Sequence, residues 1–107
     1  SDGELAWTSF NRPARCFDFA YFGALQGRKK CDTKIHPTQK PIELYDWLLA
    51  NYAEPGDKIL DTHLGSGSSA IAAHYAGHDF VGCEIDKDYF DAAQARIESA
   101  TAQVDMF

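Results

Sequence analysis

The sequence has no apolar run approaching the roughly 18 residues that a membrane helix needs. Its first residues also lack a basic segment followed by an apolar one, so no signal peptide is read from them. Cysteine is scarce. Cys16, Cys31 and Cys83 are odd in number and form no C-x-x-C pair, which argues against a disulfide framework and against a zinc site. They read as buried or idle thiols of a reducing cytoplasm, and the expected location is cytoplasmic with no membrane partner. His74 and His78 stand four apart, as helical metal ligands can, but Gly77 between them is expected to end the helix first, so no metal site is read there. The four prolines, Pro13, Pro37, Pro41 and Pro55, are all isolated. The only methionine is Met106, while a strand-like run begins within a few residues of Ser1, so the chain reads as a piece of a longer polypeptide.

What is present describes one globular α/β domain. The chain has 107 residues, 45 % hydrophobic and 24 % charged. The net charge of −6 argues against a free-standing nucleic-acid binder. The charge is uneven, however: residues 1–40 carry +3 and residues 41–107 carry −9. A basic third around "GRKK" beside an acidic remainder either places one edge near phosphate or is an ordinary solvated loop.

"ELAWTSF" (4–10) reads as a strand, "NRPAR" breaks it, and "CFDFAYF" (16–22) reads as a second strand or extended segment. "HPTQKPIELYDWLLANYA" (36–53) reads as a helix with Thr38 as N-cap and Pro41 in the first turn. Ile42, Tyr45, Leu48, Leu49 and Tyr52 give it a buried stripe. "KILDT" (58–62) is a short strand, and residues 68–76 form a small-residue helix stopped by Gly77. "DFVGCE" (79–84) is the next strand, and a last helix runs from about Asp86 to Ala102. Strand, helix, strand, helix over 58–102 is the grammar of a parallel α/β sheet.

"ILDTHLGSGSSAIAA" (59–73) carries the chemistry. Gly65, Gly67 and Ala70 satisfy G-x-G-x-x-G/A between a strand and a helix. Gly65 is expected to make the tight turn, Gly67 to let a ligand approach the backbone, and Ala70 to let the helix sit close to the sheet. Glu84 ends the next strand, 23 residues after Asp61, where an acid can accept both hydroxyls of a ribose. A tight αβ corner that holds nothing is the bland alternative. Asp61 at the strand end would repel the pyrophosphate of a dinucleotide. The ammonium and sulfonium of S-adenosylmethionine suit a nearby carboxylate, and its own carboxylate suits a helix N-terminus with Thr38 or Lys40. The charge argument leans to S-adenosylmethionine over NAD, with both open on the residues alone.

"HPTQKP" before a helix, then "ILDTHLGSGSSAIAA", then "FVGCEIDKDYFDAAQARI", resembles the C-terminal part of prokaryotic and phage DNA amino-methyltransferases, which make N6-methyladenine or N4-methylcytosine. The likeness is strong over residues 34–98 and looser over 4–22. It implies a Rossmann-like sheet in which Asp61, Thr62, Gly65, Ser66, Gly67 and Ser68 form the cofactor loop. It makes Glu84 the ribose acid. It puts His36, Thr38 and Lys40 beside the methionine end of S-adenosyl-L-methionine. His63 departs from the phenylalanine usual in such loops. Only 40 residues follow Gly67, too few for the rest of a seven-stranded sheet, so the order implied is the permuted β arrangement. Residues 1–35 would then be later strands and loop, with 4–10 in one sheet with 58–62, and residues 36–107 the cofactor-binding part.

The family's catalytic (Asp/Asn/Ser)-Pro-Pro-aromatic motif is absent, since no two prolines are adjacent. No catalytic residue is therefore assigned, and the chain alone is expected to be inactive. The partners implied are DNA, through an intact enzyme, and a missing N-terminal catalytic part, with self-association left open. The alternatives are a non-catalytic nucleoside-binding or structural remnant and, further off, an NAD-binding module. Whether the target is adenine N6 or cytosine N4 is not legible.

Overall fold

A computed structural model describes residues 6–18 and 39–102. The elements follow the order α1 (Ile42–Tyr52), β1 (Lys58–Asp61), α2 (Ser68–Ala76), β2 (Asp79–Gly82) and α3 (Lys87–Ala102). β1 and β2 pair in parallel, Lys58 opposite Asp79 and Asp61 opposite Gly82, so both strands end flush. The loops that follow them therefore emerge side by side. Leu64 N–H donates to the Cys83 carbonyl (2.8 Å) and Cys83 N–H to the Asp61 carbonyl (2.9 Å), which ties the two exits together.

α2 is buried on every side of its first two turns, from Ser68 to Ala73. Apart from Ile71 its side chains there are small, which is what lets one helix pack against α1, α3 and the sheet at once. Ile42, Ile71 and Ala72 form one apolar cluster, closed by Tyr45, Leu49, Ile97 and Ala100. Leu64, Ala70 and Ala93 form a second, closed by Phe80 and again by Ile97. Ile97 thus joins the two. Ile71 is the largest fully buried side chain among the described residues; Ile71→Ala should cost about 2–5 kcal/mol of stability, read by urea denaturation. Gly77 ends α2 in the left-handed conformation, φ 84°, as its place in the sequence predicts. Asp86 caps α3, its Oδ1 accepting the Tyr89 N–H at 3.0 Å.

The opposite face of the sheet is exposed and carries Leu60 and Val81 beside Lys58 and Asp79. Leu60 is 64 % exposed and Val81 62 %.

Three expectations are corrected. First, residues 6–10 are not a strand, and among the described residues the sheet consists of β1 and β2, so the described part of 4–10 does not join 58–62; of the two readings for 16–22, residues 16–18 do not take the strand. The Phe10 N–H turns back to Thr8 Oγ1 (3.1 Å), which bends the chain. The segment is held by side chains instead. Phe10 lies against Tyr52 with ring centroids 5.2 Å apart, and Phe17 against Trp47 at 5.6 Å. The Arg12 guanidinium lies 4.9 Å from the Tyr52 ring centroid and donates to the Asn51 carbonyl. Arg15 donates to Asn51 Oδ1 at 2.7 Å. α1 has no basic residue in its last turn, so these two arginines supply the positive charge that a helix C-terminus favours. The other residues of those two stretches, 4–5 and 19–22, lie outside the described residues.

Second, α1 begins at Ile42 rather than near Thr38. Pro41 is its N-cap, extended at φ −69° and ψ 146°. Proline disfavours the helical region for the residue before it, so the helix starts after Pro41. Thr38, read as the cap, lies outside the described residues. Third, of the two readings of the thiols, buried or idle, burial does not apply to Cys16 and Cys83, which are exposed. Cys31 lies outside the described residues.

Candidate functional site

The glycine loop occupies residues 62–67, between the end of β1 and the start of α2. Gly65 has φ 58° and Gly67 φ 89°, left-handed values that other residues rarely adopt. Gly65 makes the turn, as its place in the sequence predicts. Gly67 also has a packing role that the sequence reading did not give it. A Cβ at Gly67 would stand 2.9 Å from Ile97 Cδ1, 3.0 Å from Ile97 Cγ1 and 3.5 Å from the Ala93 Cβ. The space on that side of Gly67 is filled by α3, so its missing side chain serves helix-to-loop packing.

Two carboxylates shape the loop. Asp61, at the end of β1, accepts the His63 N–H on Oδ1 (3.0 Å) and the Ser69 hydroxyl on Oδ2 (2.5 Å). Glu84, just beyond β2, accepts the Gly65 N–H on Oε1 (2.8 Å) and the Asp86 N–H on Oε2 (3.0 Å). The acid and the turn glycine predicted from the sequence are therefore in direct contact. Thr62 is exposed, with its Oγ1 2.9 Å from His63 Nδ1.

Ser66 and Ser68 are buried beneath the loop, 5 % and 3 % exposed. The Ser68 hydroxyl donates to the Lys40 carbonyl at 2.7 Å. This bond brings the segment before α1 against the loop. His36 and Thr38 lie outside the described residues. Sequence reading missed Ser69, which locks Asp61 to α2, and it missed Arg96. Arg96 sits on the buried face of α3 with Ala93. Its Nη1 lies 2.9 Å from the Ser66 carbonyl and 3.0 Å from the Ser68 hydroxyl. A charged residue on an otherwise apolar stripe was the available signal.

A parallel strand–loop–helix whose glycine turn is held by an acid from the end of the neighbouring strand defines a partial Rossmann-like, nucleoside-binding type of architecture. Residues 9–95 match the family model described as DNA methylase, of the N6/N4 methyltransferase type, and the chain belongs to that family. Over 64 residues it is 38 % identical to type II methyltransferase M2.DpnII of Streptococcus pneumoniae, covering 60 % of this chain and 24 % of that protein. Over 82 residues it is 30 % identical to type II methyltransferase M1.MboII of Moraxella bovis, covering 73 % and 32 %. The chain thus spans about a quarter to a third of the length of these relatives. The crystal structure of the M1.HpyAVI–SAM complex superposes with a TM-score of 0.57 at 35 % identity, covering 59 % of this chain and 32 % of that one.

Proposed function

We propose that this chain is the S-adenosylmethionine-binding part of a DNA amino-methyltransferase of permuted order, and that the intact enzyme methylates an exocyclic base nitrogen. The observation that carries the reading is the contact between Glu84 and the Gly65 turn at the flush ends of two parallel strands. The donor set fits the cofactor. Carboxylates at both strand ends suit hydroxyls and an ammonium, and they oppose the phosphates of a dinucleotide. Glu84 would accept the ribose hydroxyls, Asp61 would face the ammonium, and the N-terminus of α2 with Lys40 would face the carboxylate. When bound, the cofactor supplies an electrophilic methyl group. Of the other residues of the proposed set, His36 and Thr38 would lie with Lys40 beside its methionine end, and Thr62, Gly65, Ser66, Gly67 and Ser68 would form the cofactor loop. The two methyltransferase relatives are roughly three to four times the length of the matched stretch, and the exposed Leu60 and Val81 on the sheet face support a further part that covers them and supplies catalysis and base recognition.

The test is calorimetry with S-adenosylhomocysteine and NADH in parallel. Binding of the first and not the second supports the reading; the reverse order of affinity overturns it. Glu84→Gln should weaken S-adenosylhomocysteine about ten- to hundredfold, since a charge-assisted hydrogen bond is worth about 1.5–3 kcal/mol. Because Glu84 also accepts two backbone N–H groups, the amide would turn a donor toward one of them and cost about 1 kcal/mol of stability as well. A thermal melt of each variant separates the two losses. Asp61→Asn should weaken ligands that carry the ammonium more than it weakens adenosine; equal losses on both would show a general loss of loop structure.

A further inference from the structure

Arg96 is a buried cation, 9 % exposed, on the face that α3 turns toward the loop. Its Nη1 lies within hydrogen-bond distance of three loop oxygens: the Ser66 carbonyl (2.9 Å), the Ser68 hydroxyl (3.0 Å) and the Ser66 hydroxyl (3.3 Å). Ser68 passes the connection on to the Lys40 carbonyl. The next residue, Ser69, is held by the Asp61 carboxylate. The first turn of α2 is therefore gripped by a cation through one serine and by an anion through its neighbour. Such bonds are strong because one partner is charged and the site is shielded from water. We infer that Arg96 is the positioning residue of the loop, fixing the Ser66–Ser68 turn against α3 so that the N-terminus of α2 meets the carboxylate end of the ligand. This rests on the reading of the loop as a cofactor site. Arg96 acts through Ser66 and Ser68 rather than by touching the ligand itself.

The test compares the 107-residue chain with Arg96→Met, which keeps bulk but removes charge and donors, and Arg96→Lys, which keeps a charged point donor. Two ligands are used: S-adenosylhomocysteine, and adenosine, which lacks the amino-acid end. Arg96→Met should lose about tenfold or more in affinity for S-adenosylhomocysteine and no more than about threefold for adenosine. Arg96→Lys should recover part of the difference. Hydrogen exchange of the amides of residues 65–69, measured without ligand, should accelerate in Arg96→Met and less in Arg96→Lys. Equal losses on both ligands, or loop exchange and affinity both unchanged, overturn the inference. Should the natural chain bind neither ligand, the cofactor reading fails, and the exchange rates alone decide whether Arg96 sets the loop. Should Arg96→Met not fold, Ser68→Ala, which deletes the shared hydroxyl without adding volume, takes its place in the same comparison.

Discussion

Incubated with unmethylated DNA and tritium-labelled S-adenosylmethionine, the 107-residue chain is expected to transfer no label above a heat-killed control. Methylation of an exocyclic amine requires the base to be taken out of the helix and held with its nitrogen aligned on the methyl group. Such alignment is worth about 7–11 kcal/mol of barrier in well-oriented reactions, so losing it takes the rate below detection. In the family that this sequence resembles, a Pro-Pro-aromatic motif does that work, and here Pro13, Pro37, Pro41 and Pro55 are all isolated. On the proposed reading the loop, Asp61 and Glu84 hold the cofactor and do not present the base. Label incorporated above the control, and lost again in Glu84→Gln, would overturn the assignment of this chain as a binding part alone.

Gly67→Ala should be strongly destabilising. Left-handed backbone costs a residue with a Cβ about 1–2 kcal/mol, and forcing extra volume into a packed site costs about 1–3 kcal/mol. Both apply at Gly67, where φ is 89° and Ile97 Cδ1 would be 2.9 Å from the new carbon. The expected loss is about 2–5 kcal/mol. Gly56 is the control. Its φ is 88°, but nothing lies within 4 Å of a Cβ there, so Gly56→Ala should incur the backbone cost only. Urea denaturation of the two variants measures the difference. If they lose the same stability, the packing of α3 on the loop is wrong.

The contrast between these glycines shows which parts of the fold a sequence makes legible. β1, α2, β2 and α3 were readable because local signals bound them: a left-handed glycine at 77, a capping aspartate at 86, small residues through 68–73. Asp61, Gly65 and Glu84 were readable because strand ends and a glycine turn have a fixed grammar. Residues 6–10 were misread as a strand because apolar and aromatic residues describe one only when a neighbouring strand pairs with it, and the rings of Phe10 and Phe17 meet none among the described residues. Here Tyr52 and Trp47 of α1 take those rings instead. The start of α1 was misplaced because Pro41 was read inside the first turn rather than before it. The packing role of Gly67 and the grip of Arg96 depend on where α3 lies against a loop about 30 residues earlier, and no local pattern encodes that distance.

The bond between Glu84 and the Gly65 amide has a consequence for the timing of disorder. A loop that folds around its ligand loses freedom at the moment of association, at about 0.5–1.5 kcal/mol for each side chain immobilised. Here the turn is drawn to the neighbouring strand by the protein's own carboxylate. The entropy is surrendered when the chain folds, long before any encounter. A molecule arriving at this turn meets a shape already decided, so the protein can hold it with few contacts, and differences between molecules should be felt chiefly in how slowly each one leaves.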